Sequence, residues 1–352
     1  MHVLSTLIPC LGLFAQLSTA AYTIQDDYGG NGTFFDKFNF YTDADPTNGY
    51  VTYVDQTTAA AGGLIGSYDT ATYIGVDKTN IASGSGRNSV RLTSINSYQH
   101  GLVILDLSHM PSSACGTWPA FWMLGPDWPT TGEIDIIEGV NQATVNQMTL
   151  HTSDGCSIQN SGFTGSLYTD NCYVEAADQS DNIGCSIIET DTQSYGDGFN
   201  NVGGGVYATE WTSAGISIYF FPRSSIPADI TAGSPDPTTW GTPAASFAGG
   251  CDIDSHFVNL QIVFDLTFCG DWAGDAWSSS SCASYADTCD NYVQNNPTAF
   301  ADSYWGINSL KVYQDNGYAK RGAPHPHARA HARAGEVRSP LRRHWRQAAG
   351  RN

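Results

Sequence analysis

Three acids fall within six residues, Glu133-Ile134-Asp135-Ile136-Ile137-Glu138, entered through Thr131-Gly132. On a strand, side chains alternate, so Glu133 and Asp135 share one face while Ile134 and Ile136 take the other. A regular pleat then sends Glu138 to the apolar face and Ile137 among the acids. One extra residue at Ile136-Ile137, a β-bulge, returns Glu138 to its partners. Such a set can carry out retaining glycoside hydrolysis. That reaction needs a nucleophilic carboxylate and an acid/base carboxyl about 5–5.5 Å apart, flanking the scissile bond. Glu133 and Glu138 are the candidates. Asp135, between them, can hydrogen-bond the nucleophile and hold the acid's proton by like-charge repulsion.

Just upstream runs Trp118-Pro119-Ala120-Phe121-Trp122-Met123-Leu124-Gly125-Pro126-Asp127-Trp128. Trp and Phe faces cover the CH faces of sugar rings, while polar groups orient the hydroxyls. Other readings stand beside this one. A carboxylate triplet can be a calcium site, although oxygen ligands for that ion usually come from loops. Acids alternating with Ile can be a solvated face, and a single Trp is ordinarily core. The glycine, the three acids and the dense aromatic cluster are more specific together than any one of them.

The elements that must position these groups read as short strands. Ser89-Val90-Arg91-Leu92-Thr93 alternates, and Leu102–Leu107, Gly215–Phe221, Val258–Phe264 and Ile307–Tyr313 are apolar or β-branched runs bounded by turn residues. Long helical periodicity is absent. Many short strands with turn signals between them indicate an all-β sandwich or barrel, and the last strand should finish near Gln314.

Composition sets the surroundings. The chain has 352 residues, 41% hydrophobic and 14% charged, with a formal net charge of −19. Up to residue 319 there are six bases against 33 acids, whereas nine bases and the single acid Glu336 lie from Lys320 onward. An acidic body argues against a nucleic-acid partner, which needs a basic footprint. It also fits a neutral glycan better than a polyanion.

Residues 1–20 read as a signal peptide: an apolar run, Val3 to Phe14, then small residues at Ser18 and Ala20. A buried N-terminal strand is the rival reading. The run is too short to cross a bilayer. Cys10 lies inside it, and the other eight cysteines suggest up to four disulfides in a secreted, extracellular chain. Asn31-Gly32-Thr33 is the sole glycosylation sequon. Residues 21–318 are then the catalytic domain. Residues 319–352 form a basic low-complexity tail expected to be disordered, with Lys320-Arg321 as a candidate processing site.

The motifs carry a resemblance. Gly132-Glu133-Ile134-Asp135-Ile136-Ile137-Glu138 resembles the bulged E-x-D-x-x-E signature of glycoside hydrolase family 16. Trp118–Trp122, Thr149-Leu150-His151-Thr152-Ser153 and Phe268-Cys269-Gly270-Asp271-Trp272-Ala273-Gly274 resemble its secreted fungal endo-1,3(4)-β-glucanases. The likeness covers about residues 22–314. It implies a β-jelly-roll sandwich of two antiparallel sheets with a concave cleft. It further implies Glu133 as nucleophile, Glu138 as acid/base and Asp135 as assistant.

For the sugar, the resemblance implies Trp118, Trp122 and Trp128 at glucose subsites, Arg91 on hydroxyls and Trp272 across the cleft, with Asp271 a weaker candidate. His151 matches a cleft histidine near the acid/base, although a structural histidine is also a fair reading. The substrate implied is a β-glucan such as laminarin or a mixed-linkage glucan, handled by a monomer with no membrane partner. No cofactor is required, and a structural calcium away from the catalytic centre is allowed. Transglycosylases of the family usually show the shorter E-x-D-x-E, and glucan-binding lectins on the fold lose one or both glutamates. Hydrolysis is therefore the expected activity.

Overall fold

The computed structural model describes residues 22–29, 33–68 and 71–315. The leader, Asn31 of the sequon and the basic tail lie outside them. Two eight-stranded antiparallel sheets face each other. The site sheet contains β2 (Phe38–Phe40), β7 (Leu92–Tyr98), β9 (Thr117–Leu124), β10 (Glu133–Glu138), β11 (Gln147–His151), β12 (Ser166–Thr169), β13 (Cys185–Ile188) and β17 (Leu260–Phe268). Its spatial order is β12-β13-β11-β10-β9-β17-β7-β2, which puts the acid strand near the middle.

The backing sheet contains β1 (Tyr22–Asp27), β4 (Ile65–Tyr68), β5 (Ala71–Gly75), β8 (Gly101–His109), β14 (Gly205–Thr212), β15 (Gly215–Pro222), β16 (Ala245–Phe247) and β18 (Tyr304–Asp315). The order is β16-β15-β14-β8-β18-β5-β4, with β1 also pairing with β18. A small parallel pair, β3 (Val51–Tyr53) and β6 (Arg87–Ser89), stands apart.

Period-2 patterning builds the core between the sheets. Phe121, Met123, Ile134, Met148, Leu150 and Phe264 point inward from the site sheet and meet Val103, Leu105, Leu107 and Leu310 from the other. The continuous apolar run in β8 has a separate cause. Leu102 and Ile104 face outward, yet they are covered by a second cluster that includes Tyr219 and, from the crossing loop, Ile226, Ile230 and Trp240. A strand buried on both faces has no need to alternate.

Two strand expectations shift. Ser89–Thr93 is two elements rather than one. Ser89 O accepts from Val54 N while Arg91 O accepts from Tyr41 N, so the chain passes from the parallel pair to the site sheet at Val90-Arg91. The strand expected from Val258 begins at Leu260 instead, because Asn259 adopts a left-handed φ of 53° that no pleat accommodates.

The eight cysteines among the described residues all pair: Cys115–Cys282, Cys156–Cys251, Cys172–Cys185 and Cys269–Cys289. The last bridge closes a short loop, with a separation of 20 residues, that contains Trp272. Loop-closure entropy assigns such a bridge about 3 kcal/mol. Replacing Cys269 and Cys289 together with Ser should lower unfolding stability by about that amount. Urea titration checks it, and an unchanged midpoint would contradict the bridge.

Candidate active site

The acid strand carries the bulge that the sequence called for. Against β9, Asp135 pairs with Trp122 and Ile137 with Phe121, leaving Ile136 without an opposite number. Against β11, Asp135 pairs with Thr149 and Glu138 with Gln147, so the two isoleucines share Met148. Both are fully buried in the core. The extra residue buries two isoleucines in succession and restores Glu138 to the face of Glu133 and Asp135.

Register then lays out the site in rows. Glu133 stands between His151 and Leu124, Asp135 between Thr149 and Trp122, and Glu138 between Gln147 and Ala120. Across Ala120 lies Asp265 of β17. His151 Nε2 approaches Asp135 Oδ2 at 3.3 Å, and both residues are nearly enclosed. The Trp118 indole N–H donates to Glu138 Oε1 at 2.8 Å. Trp118 also meets Trp272 edge to face, with centroids 5.6 Å apart.

Arg91 is 7% exposed, and NH1 lies 3.7 Å from Asp265 Oδ2. Its guanidinium lies over the rings of both Tyr41 and Trp122, at 4.9 and 5.0 Å from their centroids. It thus braces Trp122 through cation–π contact as well as carrying charge at the site. Trp272 sits on the turn Gly270–Gly274. Its neighbour Asp271 accepts two hydrogen bonds from Asn48 Nδ2, at 2.9 and 3.0 Å, which ties that turn to the loop before β3. Gly49 in that loop admits no side chain, since a Cβ would lie 2.1 Å from Thr267 Oγ1. Trp128 is half-buried, four residues before Gly132.

Every proposed site residue therefore falls on the site sheet or the loops bordering it. Sequence reasoning missed Asp265 and Tyr41, which lie far from the motif, and Asn146, which lies just beyond it; none bears a local signature. Of the other tryptophans among the described residues, Trp305 and Trp211 are core, Trp277 belongs to a third cluster beside the Cys269–Cys289 bridge, and Trp240 covers the backing sheet.

Burial dominates the electrostatics. Desolvation, reinforced by the charge of Asp135 and partly offset by His151, pushes the Glu133 carboxyl up to about 8. Desolvation also raises Asp135. Glu138 is raised well above the carboxylate range by burial first and by Asp135 second, while the Trp118 hydrogen bond opposes the shift. Burial lifts Asp265 to about 7 against the pull of Arg91.

Among the described residues, Glu133, Asp135 and His151 bring ligand atoms within 4.8 Å of one another, as do Cys269, Cys289 and Asp290. The second group is spent in a disulfide. Neither supplies the six to eight oxygens that calcium takes.

A β-sandwich with paired buried carboxylates and a row of aromatics on one sheet defines a carbohydrate-active jelly-roll protein. The chain belongs to glycoside hydrolase family 16: the profile described as XgeA-like, catalytic GH16 domain matches residues 38–313. An endo-1,3(4)-β-glucanase of Arthroderma benhamiae is 51% identical over 308 residues, 86% of this chain and 67% of the relative. The Emericella nidulans endo-1,3(4)-β-glucanase xgeA is 44% identical, covering 88% of this chain and 50% of its own length. The chain thus spans between half and two thirds of these relatives.

Among solved structures, Phanerochaete chrysosporium laminarinase 16A with β-glucans in donor and acceptor sites is 44% identical with a TM-score of 0.78. That match covers 84% of this chain and all of the other. An elongating family 16 β-1,3-glucosyltransferase is 45% identical with a TM-score of 0.77, covering 83% of this chain and all of its own.

A carboxyl held protonated in the fold binds more protons than its unfolded counterpart between about pH 4.5 and 8. Stability must therefore fall as pH rises through that window. Asp135→Asn removes one buried titrating group and a source of repulsion on the other two. Urea midpoints across the window should decline less steeply in that variant, and equal slopes would refute the assigned cause.

Proposed function

We propose that this chain hydrolyses internal β-1,3 bonds of β-glucans, and β-1,4 bonds in mixed-linkage glucans, by retaining double displacement. The carrying observation is the bulge that sets Glu133 and Glu138 on one face around Asp135. Glu133 attacks the anomeric carbon while Glu138 protonates the departing glycosidic oxygen, and that C–O bond breaks. Glu138, now anionic, takes a proton from water, whose oxygen attacks the same carbon and releases Glu133.

The electrostatics bear most directly on the acid/base role. Three buried carboxyls so close cannot all ionise, so a proton stays among them. Burial and the charge of Asp135 both raise Glu138, which suits it to hold that proton. The Trp118 indole occupies Oε1, leaving Oε2 to carry the proton toward the leaving group. His151 works against the burial that raises Glu133. Trp118, Trp122, Trp128 and Trp272 offer ring faces to glucose units, with Arg91 and His151 on hydroxyls. This chemistry needs no cofactor.

Four disulfides support export, with residues 1–20 as the leader. No helix among the described residues is long and apolar enough to cross a membrane.

A second reading draws on the similar glucosyltransferase. If a sugar hydroxyl replaces water in the second step, the same residues lengthen the glucan. A lectin role is disfavoured because both glutamates are present.

Incubation with laminarin, barley mixed-linkage glucan and carboxymethylcellulose tests the proposal. Chromatography should show short oligosaccharides from the first two, none from the third and none with Glu133→Gln. Longer products would favour transfer, and binding without cleavage would leave the lectin. Glu138→Gln should slow poor leaving groups by about 10²–10⁴ and spare good ones. Asp135→Asn removes a charge that raises Glu138, so the alkaline limb of kcat should move to lower pH.

A further inference from the structure

We propose that Asn146 is the positioning residue for Glu138: its amide spans the bulge and fixes where the carboxyl aims. This rests on Glu138 being the acid/base. A bulge breaks the strand ladder, and here the break is buried, where an unpaired backbone group is costly. The Asn146 side chain supplies the missing partners. Nδ2 donates to Ile136 O at 2.8 Å, and Oδ1 accepts from Glu138 N at 2.9 Å. The amide orientation follows from chemistry, since Ile136 O can only accept and Glu138 N can only donate.

Asn146 is itself completely buried and held at both ends of its backbone. Its N–H donates to Ser194 Oγ at 3.1 Å, and its carbonyl accepts from Glu189 N at 2.9 Å. The same segment closes on the far side of Glu138. Tyr195 OH donates to Gly139 O at 3.0 Å, and a Cβ on Gly139 would lie 2.8 Å from the Tyr195 ring. The backbone of Glu138 is therefore gripped before and after its Cα, while Trp118 holds the carboxyl tip. Only asparagine offers a donor and an acceptor on one short planar group. Aspartate keeps the acceptor alone, and glutamine adds a methylene that has no room in a fully buried site.

The test compares laminarin with a dinitrophenyl laminaribioside, whose leaving group needs no protonation. Asn146→Ala should lower kcat on laminarin about 10- to 100-fold, the effect of misplacing a catalytic group by about 1 Å. KM should hold steady and the activated substrate should be slowed far less. Asn146→Asp retains the acceptor for Glu138 N–H and loses only the donor. Its laminarin loss should be smaller, and its new charge should move the alkaline limb to higher pH.

Near-UV circular dichroism and Tm confirm folding. If the alanine substitution does not fold, the near-isosteric Asn146→Asp carries the comparison. Folded variants that slow both substrates equally, or neither, overturn the proposal. Glu138→Gln separates the causes. If it discriminates by leaving group while the Asn146 variants do not, the positioning role alone fails. If Glu138→Gln shows no discrimination, the acid/base reading falls and this inference falls with it.

Discussion

The site depends on one packing constraint: two consecutive isoleucines must both enter the core. Ile136 and Ile137 lie fully buried between the sheets, and a regular strand can point only one of any adjacent pair to that side. The bulge resolves the conflict, and its by-product is the catalytic face. Hydrophobic burial, worth about 1.5–3 kcal/mol for each such side chain, therefore underwrites an arrangement of acids that electrostatics alone opposes. Three desolvated carboxyls repel one another. They stay together because the apolar side of their own strand leaves them nowhere else to go.

The rest of the sheet tempers that repulsion. His151 lies against Asp135, Arg91 against Asp265, and the Trp118 N–H against Glu138. None of these partners adjoins its acid in sequence. Each arrives by strand pairing or from a neighbouring loop, so the site is as good as the register that assembles it. Small residues help in the same way: Ala120 lies between Glu138 and Asp265 without filling the space above the sheet.

Much of this was legible in the chain. Period-2 arithmetic over 133–138 was enough to call for a bulge, because a misplaced acid and a misplaced isoleucine gave the same signal twice. The aromatic run before it and the all-β patterning were equally local. What escaped was tertiary. Asn146 shows its purpose only once the bulge carbonyl stands opposite it, and Asp265 only once β17 lies beside β9. Arg91 looked like one residue of an alternating strand. The structure places it in a handover between sheets, where its stacked guanidinium matters more than its pleat. The cysteine pairing was likewise beyond local reasoning, since bridges such as Cys115–Cys282 join segments 167 residues apart.

The turn bearing Trp272 is held differently from the acid strand. It is fastened by the Cys269–Cys289 bond and the Asn48–Asp271 clamp, with no sheet ladder through it. Fastened this way, that rim is held without drawing on the pairing of β9, β10 and β11. The architecture separates a centre locked by register from a margin locked by covalent and polar ties, so loosening one need not loosen the other.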